Sequence, residues 1–214
     1  MRSFASILKI YNLMKNLFLV GAGGHARSCI DVIEKIKNLK ISGIIDKNYK
    51  NKKLYTYPNV KFKKIIKKNK SISYMLICIG QIKDPNLRKK LFYEGLKKGY
   101  KFIQVISPYS YVSPRAQIGE GTIVMHGAIV NAGAVIGKNC IINSNSLIEH
   151  DVKIGNHCHI STGAIINGGV KISDDCFIGS GSVTRDNIKI GKSVIIQGHT
   201  FVNTSVKDKT ILKR

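Results

Sequence analysis

From Val112 onward an aliphatic residue returns every six positions: Val112, Ile118, Val124, Val130, Ile136, Ile142, Ile148, Ile154, Ile160, Ile166, Ile172 and Ile178. Thr184 interrupts the series, and Ile190, Ile196 and Val202 resume it. Two positions before each stands a mostly small residue, as at Ala128, Ala134, Cys140, Ser146, Cys158, Ala164 and Cys176. Residues two apart on an extended chain face the same way, so both members of each unit point inward. Glycine often follows the aliphatic, as at Gly119, Gly137, Gly155, Gly179 and Gly191, where it would relieve a turn. The pattern predicts a parallel β-helix of hexapeptide units, three units to a coil, so that residues 18 apart stack. Roughly five coils at strand spacing, about 4.8 Å, would make a prism with an aliphatic core.

The first half has a different rhythm. Residues 16–20 read as a buried strand, followed by a turn through Gly21, Gly23 and Gly24. The segment 25–37 then has helical spacing at Ala26, Ile30, Ile33 and Ile36. Residues 41–46 form a second expected strand ending in Asp46, and residues 74–80 a third. An Asp-Pro start predicts a helix that ends at Gly99, and residues 101–106 read as a fourth strand leading into the repeat. Such a strand–glycine turn–helix unit, with an acid some 25 residues after Gly21, is the pattern of a Rossmann-like domain. Phosphate would sit at the helix N-terminus and the acid would meet a ribose. The expected organisation is an extension or loose arm over 1–13 and a Rossmann-like domain over 14–107. A β-helix over 108–203 and a tail over 204–214 complete it.

Composition narrows the class. Five cysteines in 214 residues are too few for a disulfide scaffold, and no run of about 18 apolar residues suggests a membrane span. No signal-peptide pattern opens the chain, so a cytoplasmic protein is expected. The net charge of +23 is uneven: residues 1–107 hold 24 Lys+Arg against 5 Asp+Glu, residues 108–214 hold 11 against 7. The basic half favours anionic partners such as a nucleotide diphosphate, coenzyme A or nucleic acid. The run KFKKIIKKNK at 61–70 is equally a solvated surface.

Three of the six histidines lie in NSNSLIEHDVKIGNHCHISTG, residues 143–163. The "HCH" triplet looks like a metal motif, but the six-residue register turns Cys158 inward and His157 and His159 outward. Adjacent strand residues face opposite ways, so no metal site is expected there. Cys140, Cys158 and Cys176, spaced by 18, would stack in the core, while His157 would be a surface residue. His150 and Asp151 are different. The 18-residue period puts Ala132 and Gly133 below them and Gly168 and Gly169 above, which predicts a notch with His150 and Asp151 projecting into it and with open backbone at Gly168 and Gly169. An imidazole beside a carboxylate there is a candidate general base. Asn143 and Ser161, also 18 apart, would stack as a polar pair.

A GAGGH turn in a small α/β domain, followed by hexapeptide repeats carrying EHD, resembles the bacterial nucleotide-sugar acetyltransferases of the left-handed β-helix class. UDP-4-amino-sugar and perosamine N-acetyltransferases are examples, with sialic acid O-acetyltransferases as relatives. The resemblance spans residues 14–203 and implies an α/β domain joined to a left-handed parallel β-helix. It implies homotrimers with active sites between subunits, acetyl-CoA as co-substrate and no metal. His150 is then the general base and Asp151 its orienting acid. Asn143, His159, Ser161 and Gly168 face acetyl-CoA and the acceptor, with the Gly168 N–H directed at the thioester carbonyl. Gly21, Gly23, Gly24, His25 and Asp46 bind the nucleotide-sugar. The chain departs from that pattern at its end, VNTSVKDKTILKR, and at Lys47, where a second acid is often found.

The expected function is acetyl transfer from acetyl-CoA to the amine of a nucleotide-linked amino sugar, for surface glycan synthesis. A sugar O-acetyltransferase uses the same base and is the alternative. A non-catalytic nucleic-acid-binding or scaffolding β-helix would use the basic half but would leave the His150 corner and the GAGGH turn without a purpose, so nucleic acid is not the expected partner.

Overall fold

The computed structural model describes residues 14–61 and 74–213. The proposed extension 1–13 and all of the lysine run 61–70 after Lys61 lie outside the described residues.

The first unit is a four-stranded parallel sheet. Strand β1 (Lys15–Val20) lies between β2 (Leu39–Ile45) and β5 (Tyr74–Ile77), with β6 (Lys101–Phe102) at one edge. A small hairpin, β3 (Lys53–Leu54) and β4 (Tyr57–Pro58), follows β2. Helix α1 (Gly24–Glu34) packs Ala26, Cys29, Ile30 and Ile33 into the core. It stops three residues short of the expected end, because the chain turns back at Ile36 to begin β2. Gly21 is required at the turn: its φ is +113°, and a Cβ would lie 2.7 Å from Ile79 Cγ1.

Helix α2 (Asn86–Lys97) reverses a simple reading of its apolar residues. Leu87 is exposed, while Arg88, Phe92 and Gly95 are buried. The buried side of this helix meets the β-helix, and a charged residue stands at its centre.

The second unit is a left-handed parallel β-helix of three sheets, with seven, six and five strands. Every expected inward aliphatic from Val124 to Ile178 is buried, and so are Thr184, Ile190, Ile196 and Val202. Removing each such side chain from water contributes on the order of 2 kcal/mol. Thr184 fits the core because its Oγ1 accepts the Asn167 N–H at 3.0 Å. Cys140, Cys158 and Cys176 stack inside, with Cys158 N–H 3.4 Å from Cys140 Sγ.

The boundaries of the repeat differ from expectation. The segment 101–106 is two strands, and Val105–Ile106 pairs with Ile123–Val124 as the first strand of the prism. At the other end the chain does not trail off. Val206 bridges to Ile190, and Ile211–Leu212 pairs with Ile195–Ile196. These partners are 16 apart rather than 18, since the turn after Val202 is two residues shorter.

Glycine serves two purposes in this helix. The residues after the aliphatics stack in close contact: a Cβ on Gly137 would meet the Gly155 carbonyl carbon at 2.6 Å. They are therefore spacing residues rather than turn-relieving ones. The left-handed turn position falls six residues apart at a different phase, at Gly121, Gly127, Gly133, Asn139, Asn145, Asp151, His157 and onward.

The three faces of the prism are chemically distinct. One, carrying Val105, Ile123, Ile141 and His159, is covered by the first unit. The second presents Tyr111, Ile129, Leu147, Ile165, Val183 and Phe201 outward, with Tyr111 and Phe201 well exposed. The third carries Lys153, Lys171 and Lys189 on neighbouring strands.

Candidate functional site

The strand ends of β1, β2 and β5 open on a cleft of about 980 Å³. This is where open α/β sheets bind ligands. The glycine turn forms one wall, and Lys47, Lys61 and Lys90 contribute positive charge. Gly23 and Gly24 are exposed, with no atom within 4 Å of a Cβ placed on either. The first N–H groups of α1 have no partner within the helix and face this space. Asp46 does more than line the wall. Its Oδ2 accepts the Ala22 N–H at 3.0 Å and its Oδ1 accepts the Asn48 N–H at 2.9 Å, so it ties the glycine turn to the next loop. His25 also lines the cleft, but its Nε2 is buried.

Behind the cleft, the first unit grips the covered face of the prism. The fully buried Arg88 donates to the carbonyls of Ile77 and Ile79 and to both the carbonyl and Oδ1 of Asn139. Burial lowers its pKa to about 10. Lys89 and Asp175 form an ion pair at 2.8 Å. At the opposite corner His126 joins Ser107 Oγ (2.6 Å) to Asp31 Oδ2 (3.1 Å).

His157 belongs to this interface. The outward direction expected for it is observed, but the surface is not: the residue is 3% exposed. Its Nδ1 meets Asn139 Nδ2 at 3.0 Å, its Nε2 meets the Tyr93 hydroxyl at 3.1 Å, and Phe92 packs against the ring. Burial pushes its pKa down to about 4. His159 is buried as well, and burial likewise holds it at about 4. Its Nδ1 lies 2.5 Å from the Gln81 carbonyl oxygen and its Nε2 3.1 Å from Asn143 Nδ2. Asn143 therefore pairs with His159 and not with Ser161, whose hydroxyl meets Ser180 Oγ at 2.9 Å.

His150 and Asp151 stand apart from all of these. They occupy the corner between the apolar and the lysine-bearing faces, the edge of the prism opposite the covered face. His150 Nδ1 and Asp151 Oδ2 are 2.9 Å apart, and both side chains are largely exposed. The hydrogen bond to Asp151 raises the His150 pKa above its ordinary value. With Nδ1–H given to the carboxylate, Nε2 keeps a free lone pair.

His150 and Asp151 project into the corner, as the stacking of small residues predicts, but they lie across it, so the Gly168 backbone is covered rather than open. The imidazole lies over Gly168, where a Cβ would come 2.7 Å from Nε2, and Gly168 is buried beneath it. Asp151 folds down over Gly133, and Asn187 folds down over Gly169. The small residues are needed because polar side chains from a neighbouring coil lie flat across them. The Gly168 N–H has no acceptor among the described residues.

Within one chain, then, the predicted residues form two groups on opposite sides of the prism. Gly21, Gly23, Gly24, His25 and Asp46 lie with the cleft, and Asn143, His159 and Ser161 lie on or beside the covered face. His150, Asp151 and Gly168 lie on the far edge. Gln81, Arg88 and Tyr93 were not found from sequence; a lone glutamine in a loop and an arginine amid helical lysines carry no periodic signal. Among the described residues no group of three or more His, Cys, Asp or Glu could hold a metal ion. No described helix is long and apolar enough to cross a membrane.

Residues 16–94 match the PglD N-terminal domain, and residues 133–168 match the bacterial transferase hexapeptide (six repeats). The UDP-N-acetylbacillosamine N-acetyltransferase of Bacillus subtilis (strain 168) is 33% identical over 117 residues, 52% of this chain and 52% of that protein. The match thus spans about half the length of that curated relative. The crystal structure of PerB from Caulobacter crescentus, in complex with CoA and GDP-perosamine, superimposes with a TM-score of 0.83 at 26% identity, over 91% of this chain and 92% of that one. The acetyltransferase domain of PglB from Neisseria gonorrhoeae FA1090 shares the fold, with a TM-score of 0.83 at 23% identity over 91% and 94% of the two chains. In both its halves the chain is similar to the nucleotide-sugar N-acetyltransferases of the left-handed β-helix class.

Proposed function

We propose that this protein transfers the acetyl group of acetyl-CoA to the amine of a nucleotide-linked amino sugar, with His150 as general base. The observation that carries the reading is the His150–Asp151 pair, a proton acceptor with its Nε2 left free on the edge of a hexapeptide prism. The neutral amine attacks the thioester carbonyl carbon, forming the N–C bond. His150 Nε2 takes the amine proton, the C–S bond breaks, and coenzyme A leaves as thiolate. Asp151 keeps the imidazole in the right tautomer and stabilises the imidazolium. The unpaired Gly168 N–H beneath the ring is the donor for the developing oxyanion. No acyl-enzyme is invoked, since all five cysteines are buried.

The cleft at the strand ends takes the nucleotide: its lysines and the free N–H groups of α1 suit a diphosphate. PerB, the relative bound to CoA and GDP-perosamine, supports both ligands for this fold. The cleft and His150 lie on opposite sides of one prism, so a single chain does not bring them together. A homotrimer in which the His150 edge of one copy meets the cleft side of the next resolves this. The exposed apolar face beside that edge supports such packing. The first unit over 14–107 then serves as substrate domain and the prism as transferase domain. Five free thiols without a disulfide suit the reducing cytoplasm, where acetyl-CoA and nucleotide sugars are available.

The test is thiol release from acetyl-CoA in the presence of UDP- or GDP-linked amino sugars. His150→Ala is expected to lower turnover by roughly 10²- to 10⁴-fold, the usual contribution of a general base. Near-normal turnover in that variant would remove His150 from the mechanism.

A further inference from the structure

The two histidines flanking Cys158 are locked in opposite tautomers, and the lock on His159 comes from the loop that floors the nucleotide cleft. At His157 the order of donors follows from Arg88. Its guanidinium donates to Asn139 Oδ1 at 3.0 Å, which leaves the Asn139 amide to donate to His157 Nδ1. His157 therefore carries its proton on Nε2 and donates it to the Tyr93 hydroxyl oxygen. At His159 the Gln81 carbonyl oxygen can only accept, so Nδ1 carries the proton. Nε2 then accepts from the Asn143 amide, whose Oδ1 is taken by the Ser144 N–H at 2.9 Å.

Gln81 grips both sides of Cys158. Its main-chain oxygen holds the His159 ring, and its side-chain Nε2 donates to the His157 carbonyl at 2.9 Å. Its Oε1 has no partner among the described residues, so the side chain acts here by donation alone. Gln81 is 3% exposed and follows directly on Cys78, Ile79 and Gly80, which line the cleft. Arg88 pins the carbonyls of Ile77 and Ile79 at the start of that loop.

We propose that Gln81 is a positioning residue: its side-chain clamp on the His157 carbonyl aims its own carbonyl at His159, fixing the Nδ1–H tautomer and with it the orientation of Asn143. The nucleotide-cleft floor and the Asn143–His159 pair are thereby one mechanical unit. With both ring nitrogens engaged, His159 acts through Asn143 and is neither a second base nor a free donor. The purpose of this lock rests on the proposed acetyl transfer, but its measurement does not require substrate.

The experiment is long-range ¹H–¹⁵N correlation of ¹⁵N-histidine-labelled protein at pH 7, with His159 assigned through His159→Gln. The wild type is expected to show His159 as the pure Nδ1–H form and His157 as the pure Nε2–H form. Gln81→Met keeps the side-chain volume and removes the donor. In it His159 should revert to the mixed tautomers of free imidazole, while His157, held by Arg88 and Asn139, stays Nε2–H and reports an intact interface. Gln81→Asn, too short to reach His157, should behave the same way. With acceptor and acetyl-CoA, kcat/KM of Gln81→Met should fall by roughly tenfold or more. A wild-type His159 protonated on Nε2 or exchanging between forms overturns the proposal without any variant. So does an unchanged Nδ1–H signature in a folded Gln81→Met. A correct tautomer pattern in a protein that acetylates nothing would instead count against the acetyltransferase reading alone.

Discussion

Gly168→Ala tests the geometry of the proposed base and of the Gly168 N–H beneath it while leaving both groups in the chain. The Cβ would lie 2.7 Å from His150 Nε2 and 2.8 Å from Cε1. Ordinary contact begins near 3.4 Å, so the ring must move by at least about 0.7 Å (3.4 minus 2.7). The backbone does not object, because Gly168 is not among the glycines with positive φ. The ring can swing outward, since 66% of the His150 side chain is exposed. Stability should therefore change by less than about 1 kcal/mol, as for other surface adjustments. Activity should not be spared. A displacement approaching 1 Å of a reacting group costs on the order of 10²-fold, and this one also pulls Nδ1 from Asp151. Thiol-release kinetics with a saturating amino-sugar acceptor, alongside a thermal melt, separates the two effects. A Gly168→Ala enzyme with unchanged melting and turnover within twofold of wild type would refute the assigned position of the base.

Two further outcomes follow from the same structure. A general base works when neutral, and the bond to Asp151 raises the His150 pKa, so the acid limb of kcat/KM stands above that of an unperturbed histidine. Asp151→Asn should move that limb to lower pH and lower the plateau by about tenfold or more; a limb that stays in place or rises would mean that another group titrates. Cys158→Ala should keep turnover within twofold and lose about 1–2 kcal/mol in urea unfolding, since a buried sulfur is removed from the stack; abolished turnover in a folded variant would revive a covalent path.

How far the sequence reached can be judged residue by residue. The aliphatic at every sixth position is a local signal, because each unit repeats the same turn and strand. It gave the core from Val124 to Val202, including the direction of Cys158. The closeness of His150 to Gly168 was legible too, since stacking by 18 converts sequence distance into space. Extrapolation from the same rule failed at Asn143, whose partner His159 is 16 residues away, and at Ser161, which turns to Ser180. Side chains at a corner lean along the prism as well as across it. The rule named the residues next to Gly133, Gly168 and Gly169 but not how they lie: Asp151, His150 and Asn187, each 18 residues away, lean across these glycines, and a backbone register does not give the direction of a side chain.

By itself, then, the sequence determined what depends on period: an α/β unit ahead of a hexapeptide prism, which residues fill its core, and that His150 adjoins a carboxylate above a glycine. Only the tertiary structure decided which face the first unit covers. That docking buries His157, places Gln81 against His159, and puts the cleft at the strand ends on the opposite side of the prism from His150. The physical reason is that periodicity reports contacts between neighbouring coils. Arg88, Gln81 and Tyr93 make single, non-repeating contacts between distant segments, and no local pattern encodes them.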